Sequence, residues 1–502
     1  MPIRRLSVKG SKGQRGRVTH LQLAADNPFD KFHSVCRQEF QAVPATSRKN
    51  WFTRRLEDRE YIVNDALETA VSENNLLVEK RTVKKVFLRI MPFLGLLYIV
   101  AFLDRVNIGF AALSMNKDLG FSNAIYGFGA GIFFIGYFLM EVPGNLIMAK
   151  VGARIWITRI LITWGIISCL NAFVSTPIQF YIVRFFLGVA EASFFPGIIY
   201  YLGTWSRSQD QAKAVAFFMM SLPICNIIAA PLSAYLLGTT AMGLPGWKWL
   251  FILEALPSII LGIITPFYLT NGPEDAKWLD EAERDWLTST LRAEKAAKVE
   301  RRSYTLLQAF SDRDVLILSG TYFVWVCGFY GVTLFLPILV KALSSSISNQ
   351  VVGFLLMVPY IFGFFAMYII GRHSDITCER RYHTVAGMLT GAIGLCGSVF
   401  LADISVTVSM LFFTIAVMGI YGSFGPFWSI PASFLTSTAA AGAIAMINSI
   451  GNLGGFAGPY VMGFIRDATG SFDGGIMFLV ACMLTAAGLL MMLRKTGEPG
   501  SS

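Results

Sequence analysis

The residues of this sequence most able to do chemistry are four charges in apolar surroundings. Asp104 and Arg105 are adjacent in the stretch AFLDRVNIGF, and Arg184 and Glu191 share the stretch FYIVRFFLGVAEASFFPG. A charge at a bilayer centre costs roughly 2.5–3.5 kcal/mol on insertion scales, so it needs a partner or a water-filled space. At about 1.5 Å of rise per residue, Arg105 lies roughly 24 Å from Arg89 and 18 Å from Lys117, close to mid-membrane. Adjacent helical residues diverge by about 100°, so Asp104 and Arg105 face different surroundings. Asn107 shares the face of Asp104. Arg184 and Glu191 lie two turns apart on one face, with Glu191 nearer the middle. Arginine stays charged and grips a carboxylate bidentately, and a buried Asp or Glu can take up a proton. The four charges suit an anion site at Arg105 joined to proton sites at Asp104 and Glu191, with Arg184 coupling or gating. The competing reading is a set of salt bridges that locks one conformation.

The remaining polar residues add a lining and gates. Tyr137, Tyr330, Trp428, Ser429, Asn448 and Asn452 lie in apolar runs where they could line a cavity, with ordinary helix packing as the alternative. Glu141, in LMEVPGN, lies near a span end and reads as a gate or cap, and Glu254, in WLFILEALP, as structural. Asp375, Arg380 and Arg381 stand in the loop GRHSDITCERRYH, a gating position. The seven cysteines are scattered without a CxxC, and the four histidines lie outside the apolar spans. No metal site, cofactor or disulfide framework is expected, and a proton carried by a side chain would ride on a carboxylate. No nucleophile constellation or phosphate loop is present, which argues against an enzyme.

The elements that must hold these residues follow from hydropathy. The 502 residues are 54% hydrophobic and 15% charged, with a mean hydropathy of +0.56, and apolar runs of about 20 residues recur from Phe87 onward. Twelve spans are predicted at about 87–113, 124–146, 155–175, 177–203, 213–238, 248–270, 314–340, 350–371, 384–402, 406–434, 441–465 and 475–493. Two groups of six around a long central loop suggest an internal duplication. Residues 1–80 read as a disordered cytoplasmic tail and 496–502 as a second tail, flanking bundles at 81–270 and 314–495. The central loop, 271–313, opens NGPEDAKWLDEAERDWL and predicts a capped amphipathic helix through Trp278, Trp286 and Leu287. The net charge of +10 comes from the tail and from loops on one side, where Arg81, Lys85, Lys150, Arg154, Arg207, Lys213, Arg372 and Arg381 stand. The other side offers Lys117, Lys248, Lys341 and Arg466. That asymmetry puts both termini in the cytoplasm and disfavours nucleic acid as a partner.

With these residues in hand, the sequence resembles the major facilitator superfamily, through the twelve spans as six plus six and the loop Gly371–Arg381. Within it, LDRVNIGFAALSMNKDLGFS, GIFFIGYFLMEVPGNLIMAKVGAR and RFFLGVAEASFFPGIIYYLGTW are similar to the anion:cation symporter family, its bacterial tartrate, sugar-acid and aromatic-acid branch. The resemblance covers residues 81–495. It implies an all-α polytopic membrane protein of two pseudo-symmetric six-helix bundles with rocking alternating access about a midplane site. It also implies proton-coupled symport of a small organic anion across the inner membrane by a monomer. Asp104 and Glu191 would take protons, Arg105 would hold the substrate carboxylate with Asn107 and Tyr137 nearby, and Arg184 would couple or gate. Phe102 stands where some sugar-acid members have tyrosine, and Ala149-Lys150 replaces an Asp-Arg pair. The favoured substrate is a hydroxy-dicarboxylate such as tartrate or a sugar acid. An aromatic carboxylate such as phthalate, hydroxyphenylacetate or nicotinate is the alternative. A drug antiporter and a transporter-like nutrient sensor are further rivals; the fifth span, SLPICNIIAAPLSAYLLG, has no glycine cluster of the exporter kind.

Overall fold

A computed structural model of the chain describes residues 48–299, 312–344, 346–401, 404–434 and 437–493. The expected tail at 1–47, the end of the central loop at 300–311 and the tail at 496–502 lie outside the described residues. Met1–Leu77 and Val78–Ser502 form separate compact units. In the first, the residues from Arg48 onward are helical. That run contains no proline or glycine to interrupt the backbone hydrogen-bond ladder.

The second unit carries the spans. The first bundle contains α1 (Arg48–Leu119), whose apolar part is Asn75–Leu119, followed by α2 (Asn123–Val151), α3 (Ala153–Leu170), α4 (Pro177–Glu191) and α5 (Phe194–Gly203). It continues with α6 (Ser208–Met219), α7 (Ser221–Leu237) and α8 (Gly246–Tyr268). After α9 (Glu281–Val299), the second bundle contains α10 (Arg313–Ala342), α11 (Asn349–Thr377), α12 (Arg381–Phe400), α13 (Val406–Gly422) and α14 (Phe424–Phe434). It ends with α15 (Ser437–Asn452), α16 (Gly454–Thr469) and α17 (Asp473–Met491). Among the described residues, eleven segments are long and apolar enough to cross a membrane. The other predicted span, 441–465, is divided into α15 and α16 at Leu453, beside Gly451, Gly454 and Gly455.

Three further spans are broken, and each break has a proline four residues on. Proline lacks an N–H and its ring excludes the carbonyl of residue i−4. Pro196 accounts for the end of α4 before Ala192, Pro223 for the end of α6 at Met219, and Pro426 for the end of α13 at Gly422. The breaks in the fourth and tenth spans fall within a repeated Ser-Phe-x-Pro, Ser193–Pro196 and Ser423–Pro426, an echo of the duplication. They differ in backbone. Ser423 is right-handed, whereas Ser193 is left-handed with φ 72°, a conformation L residues rarely adopt without a compensating contact.

At the face opposite α9 the two bundles are tightly joined. Asp467 of α16 caps the N-terminus of α2, accepting from Asn123 N at 3.1 Å and Ala124 N at 2.7 Å, where the helix dipole favours a negative charge. A Cβ at Gly463 would stand 2.1 Å from the Asn123 carbonyl oxygen, and one at Gly127 2.3 Å from that of Pro459. Only glycine permits this approach. Tyr126 closes the same region by donating to the Leu334 carbonyl at 2.7 Å.

The predicted amphipathic helix is α9, and it docks on α1. Asp280 and Glu283 form a reciprocal cap, Glu283 N to Asp280 Oδ1 at 2.8 Å and Asp280 N to Glu283 Oε2 at 3.0 Å. The buried Glu283 carboxylate also accepts from Arg81 Nε and Lys85 Nζ, both at 2.7 Å. Just before α9, Trp278 stacks on Trp205 at 5.4 Å, with the Arg89 guanidinium 5.1 Å from the Trp278 ring.

Candidate functional site

Asp104 and Arg105 separate as their 100° offset requires. Asp104 turns into the first bundle and is 1% exposed. Its Oδ2 accepts from Trp164 Nε1 at 2.8 Å and Ser258 Oγ at 2.7 Å, and its Oδ1 from Ser168 Oγ at 2.9 Å. Helices α3 and α8 therefore hold the carboxylate from both sides. Asn107 is fully buried and lies beside Glu254, which itself accepts from Ser233 Oγ at 2.7 Å. It belongs with the Asp104 side of α1 and does not line the surroundings of Arg105, a correction to its expected place in the substrate site. Its spacing from Asp104 had the same consequence.

Arg105 faces the other bundle. It is the most exposed of the four charges, at 9%, against 2% for Glu191 and 0% for Arg184. Nη2 donates to Glu191 Oε1, and Nη1 donates to the hydroxyl of Tyr330 on α10 at 2.8 Å. The rings of Phe133 and Tyr137 lie 5.2 and 5.4 Å from the guanidinium carbon, within cation–π range. Tyr98 and Tyr322 complete the phenolic surroundings. One guanidinium thus joins a carboxylate of its own bundle to a hydroxyl of the other.

Arg184 is sealed. Its guanidinium meets no hydrogen-bond acceptor among the described residues and lies 5.2 Å from the Phe133 ring. Phe133 is thereby within cation–π range of both arginines. That placement favours coupling or gating over substrate contact. Glu141 is also buried, and its carboxylate crosses to the second bundle, accepting from Asn448 Nδ2 at 2.5 Å and Ser449 Oγ at 2.8 Å. Asn448, predicted as lining, is occupied by that contact. Trp428 packs edge-on against Tyr322 at 4.9 Å with its indole N–H unpartnered. Ser429 donates back to the Gly425 carbonyl at 3.0 Å, which leaves its helix to pack. Asn452 is 8% exposed in α15.

The loop residues form a separate cluster. Arg380 pairs with Asp375 and donates to Ser374 Oγ at 3.2 Å, while Arg381 donates to the carbonyls of Met491, at the end of α17, and Leu493 just past it. Glu379 caps α12 through Tyr382 N at 2.7 Å. Burial pushes its carboxyl up, but the Tyr382 N–H and the His383 donors outweigh this and hold it below its ordinary value.

Sequence reasoning missed Trp164, Ser168 and Ser258 around Asp104, together with Tyr98, Tyr322 and Ser193. Serines and aromatics in apolar runs carry no periodic signal that separates a ligand of a buried carboxylate from a packed side chain.

A model of the Major Facilitator Superfamily matches residues 94–459. A protein of Agrobacterium vitis named for tartrate transport is 49% identical over 420 residues, 84% of this chain and 96% of the relative. A quinolone resistance transporter of Acinetobacter baumannii is 40% identical, across 81% and 93%. In fold, the chain is similar to the xylose transporter XylE from E. coli in a partially occluded inward open conformation. The TM-score is 0.65 at 14% identity, over 82% of this chain and 99% of that one. These likenesses mark a transporter, not an enzyme, and a multi-pass membrane protein with a small-molecule substrate: the chain belongs to the major facilitator superfamily.

Proposed function

We propose that the chain is a proton-coupled symporter that takes a small organic anion, a hydroxy-dicarboxylate such as tartrate or a sugar acid, across the inner membrane into the cytoplasm. It works as a monomer with both termini cytoplasmic. The observation that carries this reading is the double engagement of Arg105 by Glu191 and Tyr330. The relative named for tartrate transport supports the substrate class.

A carboxylate docking end-on across the two Nη groups of Arg105 competes with Glu191 and Tyr330 together. The displaced Glu191 is left as an unpaired buried carboxylate, which is costly, and a proton from the outside resolves it. Release of Tyr330 removes a tie between the bundles. Asp104 is built for the second proton. A proton on its Oδ1 is accommodated by rotation of the Ser168 hydroxyl from donor to acceptor, while Trp164 continues to donate to Oδ2. Binding then favours whichever state accommodates the new partners, which is what coupling requires. Arg184 would hold the fourth span in register behind Phe133, and the Asp375–Arg380 pair with Arg381 would brace the loop end of the second bundle.

The second reading is an aromatic carboxylate, favoured by Tyr98, Tyr137, Tyr322 and Trp428 around the site. The test is uptake of labelled tartrate into proteoliposomes under an imposed proton gradient, with and without competing nicotinate or hydroxyphenylacetate. Gradient-driven tartrate accumulation that Arg105→Ala abolishes supports the first reading. Accumulation only of the aromatic acids replaces it with the second, and uptake indifferent to the gradient removes the proton coupling.

A further inference from the structure

Among the described residues, Glu141 is the one buried carboxylate of the site region that bonds across the bundles, and four observations converge on it. Both of its oxygens are held by side chains of α15, Asn448 and Ser449. Beyond Glu141 toward the α9 face, α2 keeps only Gly144 and Met148 buried. Both are covered from within the first bundle, Gly144 by Ser193 and Met148 by Gly197. Glu141 is the last residue of α2, in the direction of the α9 face, for which the described residues show a hydrogen bond to the second bundle. Its backbone is tied as well. Ser193 Oγ donates to the Glu141 carbonyl at 3.0 Å, and Ser193 is the left-handed residue at the break two positions after Glu191.

We propose that Glu141 is the latch at the opening edge of the bundles: its carboxylate bonds to Asn448 and Ser449 hold the α9 face narrow, and Ser193 ties that latch to the Glu191 segment. The bonds lie where a rocking motion about the packed opposite face first separates α2 from α15, so they must break as the α9 face widens. The left-handed backbone of Ser193 is offset by its bond to α2, and movement of the Glu191 segment on docking at Arg105 pulls on that bond. Arg105, Tyr137 and Tyr322 are the charged and titratable groups that face the Glu141 carboxylate. None of them replaces its hydrogen bonds to α15. Glu141 acts here as a positioning residue of the opening step.

The test reads conformation directly and needs no substrate, so its outcome is independent of which anion is carried. Spin labels on Lys150→Cys, at the end of α2, and on the exposed native Cys378, at the end of α11, report the width of the α9 face by pulsed EPR in the full-length protein. Two hydrogen bonds to a charged group are worth well over a factor of ten. Glu141→Ala, which removes both bonds, is expected to raise the ratio of wide to narrow populations at least tenfold. Asn448→Ala and Ser449→Ala each remove one bond and should raise it at least threefold, and they serve if Glu141→Ala fails to fold. The Glu141→Ala/Asn448→Ala double variant should match Glu141→Ala within threefold, because Glu141→Ala alone already removes the Asn448 bond. A purely structural role would lower the melting temperature and leave the ratio unchanged. A ratio within twofold of the parent in both Asn448→Ala and Ser449→Ala overturns the latch.

Discussion

At the scale of single residues, function turns on how two neighbours in sequence are sent into different environments. Arg105 reaches the other bundle through one 2.8 Å bond to Tyr330, whereas Asp104 is enclosed by three donors of its own bundle. Arg105→Lys keeps the charge but loses the planar fork, so uptake in proteoliposomes should fall at least a hundredfold, nearly as far as in Arg105→Ala. Glu191→Gln should abolish gradient-driven accumulation while counterflow exchange persists, because an amide still leaves Arg105 free for the substrate. Accumulation at the parental ratio in that variant would exclude Glu191 from proton coupling. Trp164→Phe removes one donor to the buried Asp104 carboxylate. It is expected to destabilise the first bundle by about 1–3 kcal/mol, read as a lower melting temperature in detergent, and Ser168→Ala should cost at least as much because Oδ1 has no other donor among the described residues, whereas Oδ2 keeps Ser258.

At the scale of elements, the breaks matter more than the helices. Pro196 makes the fourth span two helices, and the break puts Glu191 at a helix end, where its position answers to Ser193 and α2 as well as to its own turn. Pro196→Ala permits a continuous helix through Ala192 and should raise thermal stability while slowing net uptake more than substrate binding. Equal losses in uptake and binding would show that the break serves the site's shape alone. The packing beside it is close: a Cβ on Gly188 would stand 1.9 Å from the Phe133 carbonyl oxygen. Gly188→Ala should therefore cost about 1–3 kcal/mol by overpacking. Nothing in the sequence of the fourth span marks Gly188 in α4 apart from Gly197 in α5, since the constraint comes from α2.

At the scale of the whole molecule, the membrane-spanning part is zipped at one face and tied at mid-depth. The ties are Arg105–Tyr330, Asn226–Tyr421 at 2.9 Å, and Glu141 with Asn448 and Ser449. At the other face α9 clips the part of α1 around Arg81 and Lys85 through Glu283. Burial pushes that carboxyl up, but Lys85 and Arg81 outweigh it and hold it below the usual carboxylate range. A group whose folded value is depressed stabilises fully above its unfolded value, near 4.3 for Glu, and loses that contribution as pH falls through the folded value. Docking of α9 should therefore be level from about pH 5 to 8 and weaken only below about pH 4. Glu283→Gln should loosen it across that whole range by about 1 kcal/mol, because the partners are solvent-facing. Hydrogen exchange over α9 distinguishes this from a clip held by Trp278 and Trp205 alone, which would show no pH step and no effect of the substitution.

The sequence by itself determined the class of the fold, the spans, the capped helix of the central loop and the four membrane charges. These are local or additive properties: apolar length, cap spacing, the 100° step and the cost of a charge in lipid. It also marked three of the breaks through their prolines. The tertiary structure decided which charge meets which partner. Tyr330, Asn448 and Ser449 lie far along the chain from Arg105 and Glu141, and Trp164 and Ser258 reach Asp104 from two other helices. Hydrogen bonds of 2.5–3 Å between side chains so distant in sequence depend on how whole helices are placed, and no periodicity within a helix encodes its neighbour. For the same reason Asn107, grouped with Arg105 by role, came to lie with Asp104, and Asn448 came to serve the contact between bundles.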